Sequence, residues 1–397
     1  MPTPLEDITV TDVSQFISGP YCATLLAEMG AEVIKIEPPD GDPMRVLTAA
    51  IDPELESLFC ALNKNKKGVT LSLKSEQGAE ICKELASESD VFVENLGPGV
   101  MEGFGLGYDE LSKLNPRLIY VSITGFGKNG PLKNRTSFDL IAQAMGGTIP
   151  LVGLVGGRPR MFLGDIVTGV YSALGAMYAL YHRERTGKGQ LVDMSMQDVV
   201  YSINIGGFVH TMLSEGKLEQ IGLSFERYSP GIKIPFYGIF PAQDGRIAIA
   251  AVTDKQARRC FNVLGMEELA DDERFSNFFA RYVHDEELLN MVSEFTSKMK
   301  RDEIVKKLVA ARVPCGPVYE PTEVGKDSQL KARDMFHEVK YKGFKFPLPG
   351  VCIKLPESPG AINSPAPELG QHNEEILCEM LKYPKTEIER LKKSGVV

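Results

Sequence analysis

Ile8-Thr9-Val10-Thr11-Asp12-Val13, then Gly19-Pro20 opening a run with Ala23, Leu25, Leu26 and Met29, then Gly30 and Ala31-Glu32-Val33-Ile34-Lys35-Ile36-Glu37: this stretch decides the fold. The first segment reads as a short strand. Proline is pre-set for the first turn of a helix, and the apolar residues after it supply one side. Gly30 ends that helix, and a second strand follows. Strand, helix and strand in this order make a β-α-β unit, hence a parallel sheet with a right-handed crossover. The unit has the outline of a dinucleotide half-domain. Its first loop, Ser14 to Pro20, has no GxGxxG, and a bound pyrophosphate needs those glycines for close backbone approach. A nicotinamide dinucleotide is rejected on that ground.

Outward from this unit the α/β pattern continues. Val69 to Leu73 reads as a strand, Ser75 to Ala86 as a helix, Val91 to Glu94 as a strand and Leu118 to Ile123 as the next. Asn95-Leu96-Gly97-Pro98-Gly99 is a tight loop at a strand C-terminus, where open α/β sheets place ligands. The character changes after Gly206-Gly207. Phe236 to Phe240, a turn at Gln243-Asp244-Gly245, and Arg246 to Ala251 read as a hairpin, with amphipathic helices near 285–300 and 302–312. The tail from Pro347 to Gln371 is rich in Pro and Gly and reads as extended, with a helical pattern near 373–382. The expected organisation is a large Rossmann-like domain from 1–205 with 330–397, a connector over 206–234 and a smaller α+β domain over 235–329.

The chemistry gathers at Arg160-Met161-Phe162-Leu163-Gly164-Asp165-Ile166-Val167-Thr168-Gly169. One carboxylate stands where a long helical pattern begins. Val167, Val170, Tyr171, Leu174, Met177, Tyr178 and Tyr181 recur every three or four residues, and Gly187 follows as a natural stop. Gly169, Ala173 and Ala176 form a small-residue stripe for a closely packed backbone. Asp165 is therefore either an N-cap or a carboxylate held ionised by the helix dipole and used as a nucleophile.

Composition limits the partners. Over 397 residues, 43% are apolar and 24% charged, as in soluble globular proteins. The net charge of −9 argues against general nucleic-acid binding. No signal peptide opens the chain, and the apolar run after Asp165 meets His182-Arg183 too soon to cross a bilayer. Seven scattered cysteines, no CxxC and five histidines favour a reducing cytoplasm and no metal site. Asn63-Lys64-Asn65-Lys66-Lys67-Gly68 is locally basic, as are loops bearing Lys128, Lys133 and Arg135. Such a cluster suits a phosphorylated ligand, or it is a solvated turn. No Walker A sequence is present.

Taken in order, further marks add up. They are Ser18-Gly19-Pro20, Leu26 to Glu37, Asn63 to Lys67, and Asp90-Val91-Phe92-Val93-Glu94-Asn95 with Pro98-Gly99. Gly105-Leu106-Gly107-Tyr108, Gly125-Phe126-Gly127, Asp139 with Gln143-Ala144, and Gly164-Asp165 with Thr168-Gly169 follow. Val313 to Val318 and Ala366 to His372 close the series. With these marks the chain resembles the class III CoA-transferases, the family of formyl-CoA transferase, the carnitine CoA-transferases and the α-methylacyl-CoA racemases. The resemblance runs from about residue 5 to about 378. It implies the Rossmann-like large domain, the small domain and a homodimer of interlocked rings. It implies acyl-CoA and a carboxylic acid as substrates, coenzyme A as cargo, and no permanently bound cofactor. It makes Asp165 the nucleophile and places Lys64, Lys66, Lys67, Asn95, Arg135 and Asp139 along CoA. Phe16, Ile17 and Phe138 are candidate pocket walls.

Three departures sharpen the expectation. Gly97 and Gly103 stand where relatives often carry Arg. The glycine run that covers the site in formyl-CoA transferase is absent near 222–235. Racemases carry a His at the position of Phe138, as one of two bases, and Phe cannot exchange a proton. Acyl transfer through Asp165 is thus the expected activity. A racemase-like enzyme and a non-catalytic subunit of a hetero-oligomer are the alternatives. Backbone N–H groups at the Gly164 turn are the expected oxyanion donors.

Overall fold

The computed structural model describes residues 2–47, 56–149, 154–155, 158–159, 161–204 and 234–397. The opening stretch folds as β1 (Thr9–Asp12), α1 (Ser18–Glu28) and β2 (Glu32–Glu37). β3 (Lys66–Thr70), β4 (Val91–Glu94) and β5 (Ile119–Thr124) follow. Two short strands, β6 (Leu154–Val155) and β7 (Arg158–Pro159), pair with each other, and β8 (Leu191–Ser195) returns to the large sheet. The order is β3-β2-β1-β4-β5-β8 and every neighbouring pair is parallel. The direction of winding reverses between β1 and β4, which opens a crevice at their C-terminal ends.

Helices cover both faces of the sheet: α2 (Glu76–Ser87), α3 (Asp139–Met145), α4 (Leu163–Thr186) and α5 (Met196–Ile203). A parallel sheet covered on both faces needs apolar residues on both sides of each strand. Val33, Val91, Val93 and Val121 pack towards α1 and α4, while Ile34, Ile36, Phe92 and Tyr120 pack towards α2. The C-terminal residues Ile376, Leu377, Ile388 and Leu391 complete the α2 side.

The chain forms two compact units, Met1–Leu213 with Gln329–Val397, and Ser214–Ser328. The expected connector lies outside the described residues apart from Ile234. In the second unit β9 (Tyr237–Ala242), β10 (Gly245–Ala250) and β11 (Cys315–Pro317) form an antiparallel sheet. α6 (Asp254–Leu264), α7 (Asp285–Thr296) and α8 (Arg301–Ala310) close its core around Phe240, Ile247, Phe261 and Leu288. In the first unit the hairpin β12 (Phe336–Tyr341) and β13 (Phe344–Pro349) precedes what reads in sequence as extended tail and takes in only its first residues, Pro347 to Pro349. The rest of the tail blunts the exposed edge of β3. His372 Nδ1 accepts from Gly68 N at 3.0 Å and Asn373 Oδ1 from Thr70 N at 2.9 Å.

β3 begins three residues earlier than the apolar pattern suggests, so Lys66 and Lys67 lie in the strand. The cause is a charge partner far away in sequence. Lys66 Nζ sits 2.9 Å from Asp12 Oδ2, with both side chains fully buried. Lys66 also donates to Pro20 O and Asn63 Oδ1. Beside this pair, Lys35 Nζ lies 3.1 Å from Asp42 Oδ2 and donates to Ser14 O. Asp42 Oδ1 accepts from Phe16 N and Met44 N. Arg45 grips Glu37 bidentately at 2.7 Å through Nε and Nη2, and reaches Glu56 and Pro367 O. Burial pushes Lys66 down to about 8, with Lys35 adding to the fall and Asp12 opposing it.

α4 differs from expectation in two respects. Its 24 residues are long and apolar enough in composition to cross a membrane, which the sequence pattern argued against. Its packing is that of a core helix. Gly169, Ala173 and Ala176 are buried, and a Cβ on Gly169 would stand 2.8 Å from Ser18 O on α1. Buried Arg183, near its C-terminus, pairs with Asp90 at 2.8 Å. The large residues of the helix are the ones left outside, with Tyr178 and Tyr181 each 67% exposed. The small stripe wins the buried side because only it lets α1 approach closely. Gly169→Ala is expected to lower stability by about 1–3 kcal/mol, the usual range for overpacking. Thermal or urea unfolding checks this, and an unchanged midpoint would mean that α1 is free to give way.

Candidate active site

α4 starts after Phe162, which offers no side-chain cap, and Asp165 is the third residue inside it. The capping group comes from another helix. Asp165 N donates to Asp139 Oδ1 at 3.1 Å, and Gly164 N also donates to the Asp139 carboxylate. Gln143, one turn further along α3, donates to Asp139 Oδ2 at 2.7 Å and to Met161 O at 3.1 Å. Gly164 must be small here: a Cβ would meet Asp139 Oδ1 at 3.0 Å and Val200 Cγ2 at 3.3 Å. The N-cap reading of Asp165 is thereby overturned. The same bonds occupy the Gly164 and Asp165 N–H groups, so these are not the free oxyanion donors expected from the sequence.

With its helix end capped by Asp139, the Asp165 carboxylate is left to face a cavity. Among the described residues it has no ion-pair partner. Burial and the charge of Asp139 push it up to about 7, and the Ser18 hydroxyl opposes the rise. Asp139 itself is raised by burial against its N–H donors.

The cavity has a volume of about 220 Å³ and lies at the C-terminal ends of β1, β4 and β5. Phe16 and Phe138 line it edge to face, with ring centroids 5.5 Å apart. Phe16 is held with φ at 63°, a left-handed conformation that costs a bulky residue energy unless its surroundings fix it. Asn95 lines the cavity as well and spans the crevice. Its Oδ1 accepts from Gln15 N at 2.7 Å and its Nδ2 donates to Gln15 O at 2.7 Å. Glu94, just before it, accepts from Leu96 N, and burial pushes that carboxyl up to about 7. A second hollow of about 430 Å³ shares Gln15 and Leu96 with the first, and runs past Gly41 to Lys74 at the ends of β2 and β3.

Residues 5–373 match the family described as CoA-transferase family III. The chain belongs to CoA-transferase family III. It is an enzyme of the transferase class. It is 34% identical to the succinyl-CoA–L-malate CoA-transferase beta subunit of Chloroflexus aurantiacus, over 99% of this chain and 98% of that one. It is 35% identical to a formyl-CoA:oxalate CoA-transferase of Streptomyces coelicolor, over 99% of each. Among solved structures, a CAIB/BAIF family protein from Brucella suis superposes with a TM-score of 0.82 at 32% identity, covering 96% of this chain and 100% of that one.

Within this CoA-transferase the predicted site residues are only partly brought together. Asp165, Asp139, Asn95, Phe16 and Phe138 converge. Ile17 does not line the cavity; it is core, packed with Met44, Phe59 and Leu62. The three lysines depart further from expectation. Lys64 is buried against Glu28 at 2.8 Å, and Lys66 is buried against Asp12. Lys67 is part-exposed between Glu32 and Glu375. None lines either hollow, because strand pairing turns the segment into the sheet. Arg135 is exposed, 5.6 Å above the Phe126 ring, and lines neither hollow, although Thr136 and Ser137 beside it line the first. Gly97 does line the cavity, and Gly103 opens on free space. The stretch near 222–235 lies outside the described residues except for Ile234 and Pro235. Among the described residues no group of three His, Cys, Asp or Glu is placed to hold a metal.

Sequence reasoning passed over Gln15, Ser18, Met196 and Lys74. All four follow closely on a strand of the large sheet, and that position was the available signal.

The raised Asp165 carboxyl has a consequence for this transferase. Unfolded, it ionises near its ordinary 3.8; folded, near 7. Its contribution to stability is full below 3.8 and lost as pH rises through 7. Asp165→Asn mimics the neutral form. At pH 8 the variant is expected to be more stable than the parent by about 1–2 kcal/mol, a value discounted for partial exposure. The gap should close by about pH 4. Urea titration at both pH values measures it, and a less stable variant at pH 8 would contradict the burial cost.

Proposed function

We propose that this enzyme moves coenzyme A from an acyl-CoA donor to a free carboxylic acid, with Asp165 as nucleophile. The carrying observation is a carboxylate freed from helix capping, unpaired among the described residues, and facing a cavity that continues into the switch-point crevice. One Asp165 oxygen attacks the thioester carbonyl. The C–S bond breaks, CoA leaves as thiolate, and a mixed acyl-aspartyl anhydride forms. The thiolate attacks the aspartyl carbonyl, releasing the donor acid as carboxylate and leaving an aspartyl-CoA thioester. An acceptor carboxylate attacks that thioester, giving a second anhydride and thiolate. The thiolate then attacks the acceptor acyl carbon, and Asp165 returns as carboxylate. Each step exchanges one acyl bond for another, so the cycle balances without an external energy source. Anhydrides hydrolyse, and the facing rings of Phe16 and Phe138 give the cavity an apolar wall.

The second hollow is the place proposed for the nucleotide end of CoA, with Lys74 as phosphate contact. Lys74→Ala should raise the KM for acyl-CoA several-fold and leave that for the acceptor acid nearly unchanged. Equal effects on both would remove Lys74 from the CoA site. Succinyl-CoA is the first donor to test, on the similarity to the Chloroflexus enzyme subunit. We read the enzyme as a cytoplasmic homodimer; activity of the purified single chain would separate this from an obligate hetero-oligomer.

Hydroxylamine tests the nucleophile. With donor and no acceptor it should trap a hydroxamate on the peptide containing Asp165, and Asp165→Asn should lose transfer by orders of magnitude while staying folded. A label elsewhere, or a variant near full activity, would overturn the mechanism. The racemase alternative needs a base on each face of the α-carbon. Phe138 supplies none, so a 2-methylacyl-CoA in deuterium oxide should take up no enzyme-dependent α-deuterium.

A further inference from the structure

We propose that Ser18 is a positioning residue for Asp165: its hydroxyl, oriented by the Asn95 amide, donates to the carboxylate and keeps it aimed into the cavity. The proposal rests on Asp165 as the nucleophile. Ser18 is the first residue of α1, lines the cavity, and is 3% exposed. The orientation of the Asn95 amide is fixed by the backbone of Gln15. Its oxygen takes Gln15 N–H and its nitrogen gives a hydrogen to Gln15 C=O, so the reverse orientation would oppose donor to donor and acceptor to acceptor. That nitrogen carries a second hydrogen, which goes to Ser18 Oγ at 3.1 Å. Ser18 Oγ is thus an acceptor from Asn95, and its own hydrogen is left for the group on its other side. Asp165 lines the same cavity as Ser18, and the hydroxyl favours the charged form of that carboxylate. The hydrogen bonds run one way, from the Asn95 amide through the Ser18 hydroxyl to the carboxylate.

The placement is enforced by packing. Ser18 O lies 2.8 Å from where a Gly169 Cβ would be, so α1 and α4 are in contact one turn beyond Asp165. Asn95 joins the loop after β4 to the loop after β1, across the point where the sheet reverses. Asp139, on α3, is the one charged group acting on Asp165 among the described residues, and it disfavours ionisation. Ser18 is the neutral counterweight. Without it the carboxylate loses a donor that strengthens as charge develops, and it loses the contact that sets its rotamer.

The test is the pH dependence of the donor half-reaction, read as single-turnover formation of the hydroxylamine-trapped adduct. In Ser18→Ala the acid limb should move up by about one pH unit. The rate should then fall roughly tenfold at pH 6 and approach that of the parent at pH 9. Ser18→Thr keeps a hydroxyl and should restore the limb. Asn95→Ala should shift the limb in the parent and add no further shift in the Ser18→Ala background. A purely structural role would lower the rate equally at every pH. If Ser18→Ala fails to fold, Ser18→Cys keeps the volume with a weak donor and should shift the limb the same way. A folded Ser18→Ala or Ser18→Cys with an unmoved limb, in an enzyme labelled at Asp165, overturns the role of Ser18 alone. A parent enzyme labelled elsewhere overturns this role and the mechanism together.

Discussion

The buried chain of charges Asp12–Lys66, Lys35–Asp42 and Glu37–Arg45–Glu56 is the constraint on which the site depends. It joins the C-terminal ends of β1 and β2 to the first residue of β3, beside the crevice. Desolvating such groups costs several kcal/mol per ion, recovered only when each is paired and hydrogen-bonded. Here each is. Lys66 has an anion and two carbonyl-type acceptors, and Asp42 uses one oxygen for Lys35 and the other for two backbone N–H groups. One of those N–H groups belongs to Phe16. The network therefore holds the strained residue that walls the cavity, and it fixes the loop whose next helix begins with Ser18. Removing one partner would leave a bare charge inside the fold, so these residues tolerate little change even though only Glu37 lines either hollow.

The second constraint is the division of labour between two carboxylates at one helix end. A helix N-terminus needs an acceptor for its free N–H groups. Asp139 supplies it from α3, and Gln143 holds Asp139 in place. Asp165 is relieved of that duty and sits close enough to Asp139 for their charges to repel. The repulsion and the burial make an ionised Asp165 a destabilised group and a burden on the fold. Strain of this kind at a site is held by the rest of the structure. The close α1–α4 contact and the Asn95 bridge perform that service here.

The chain itself determined the alternation of strand and helix. A short continuous apolar run in Val91-Phe92-Val93, a period of three to four after Asp165, and stops at Gly30 and Gly187 are local properties, set by backbone geometry within a few residues. Ordered motifs determined the family, and through it drew attention to Asp165. Tertiary structure alone decided which charges are buried. Lys66 finds Asp12 across 54 positions of sequence, and Asp165 meets the Asp139 cap across 26. A run of lysines before an apolar segment looks solvated until a parallel strand pairs with it and turns one side chain inward. A carboxylate at a helix start looks like a cap until another helix brings a better one. The face of α4 that is buried was decided the same way, by how closely α1 approaches Gly169. Electrostatic environment and close packing depend on groups brought together by the fold, and no local pattern carries them.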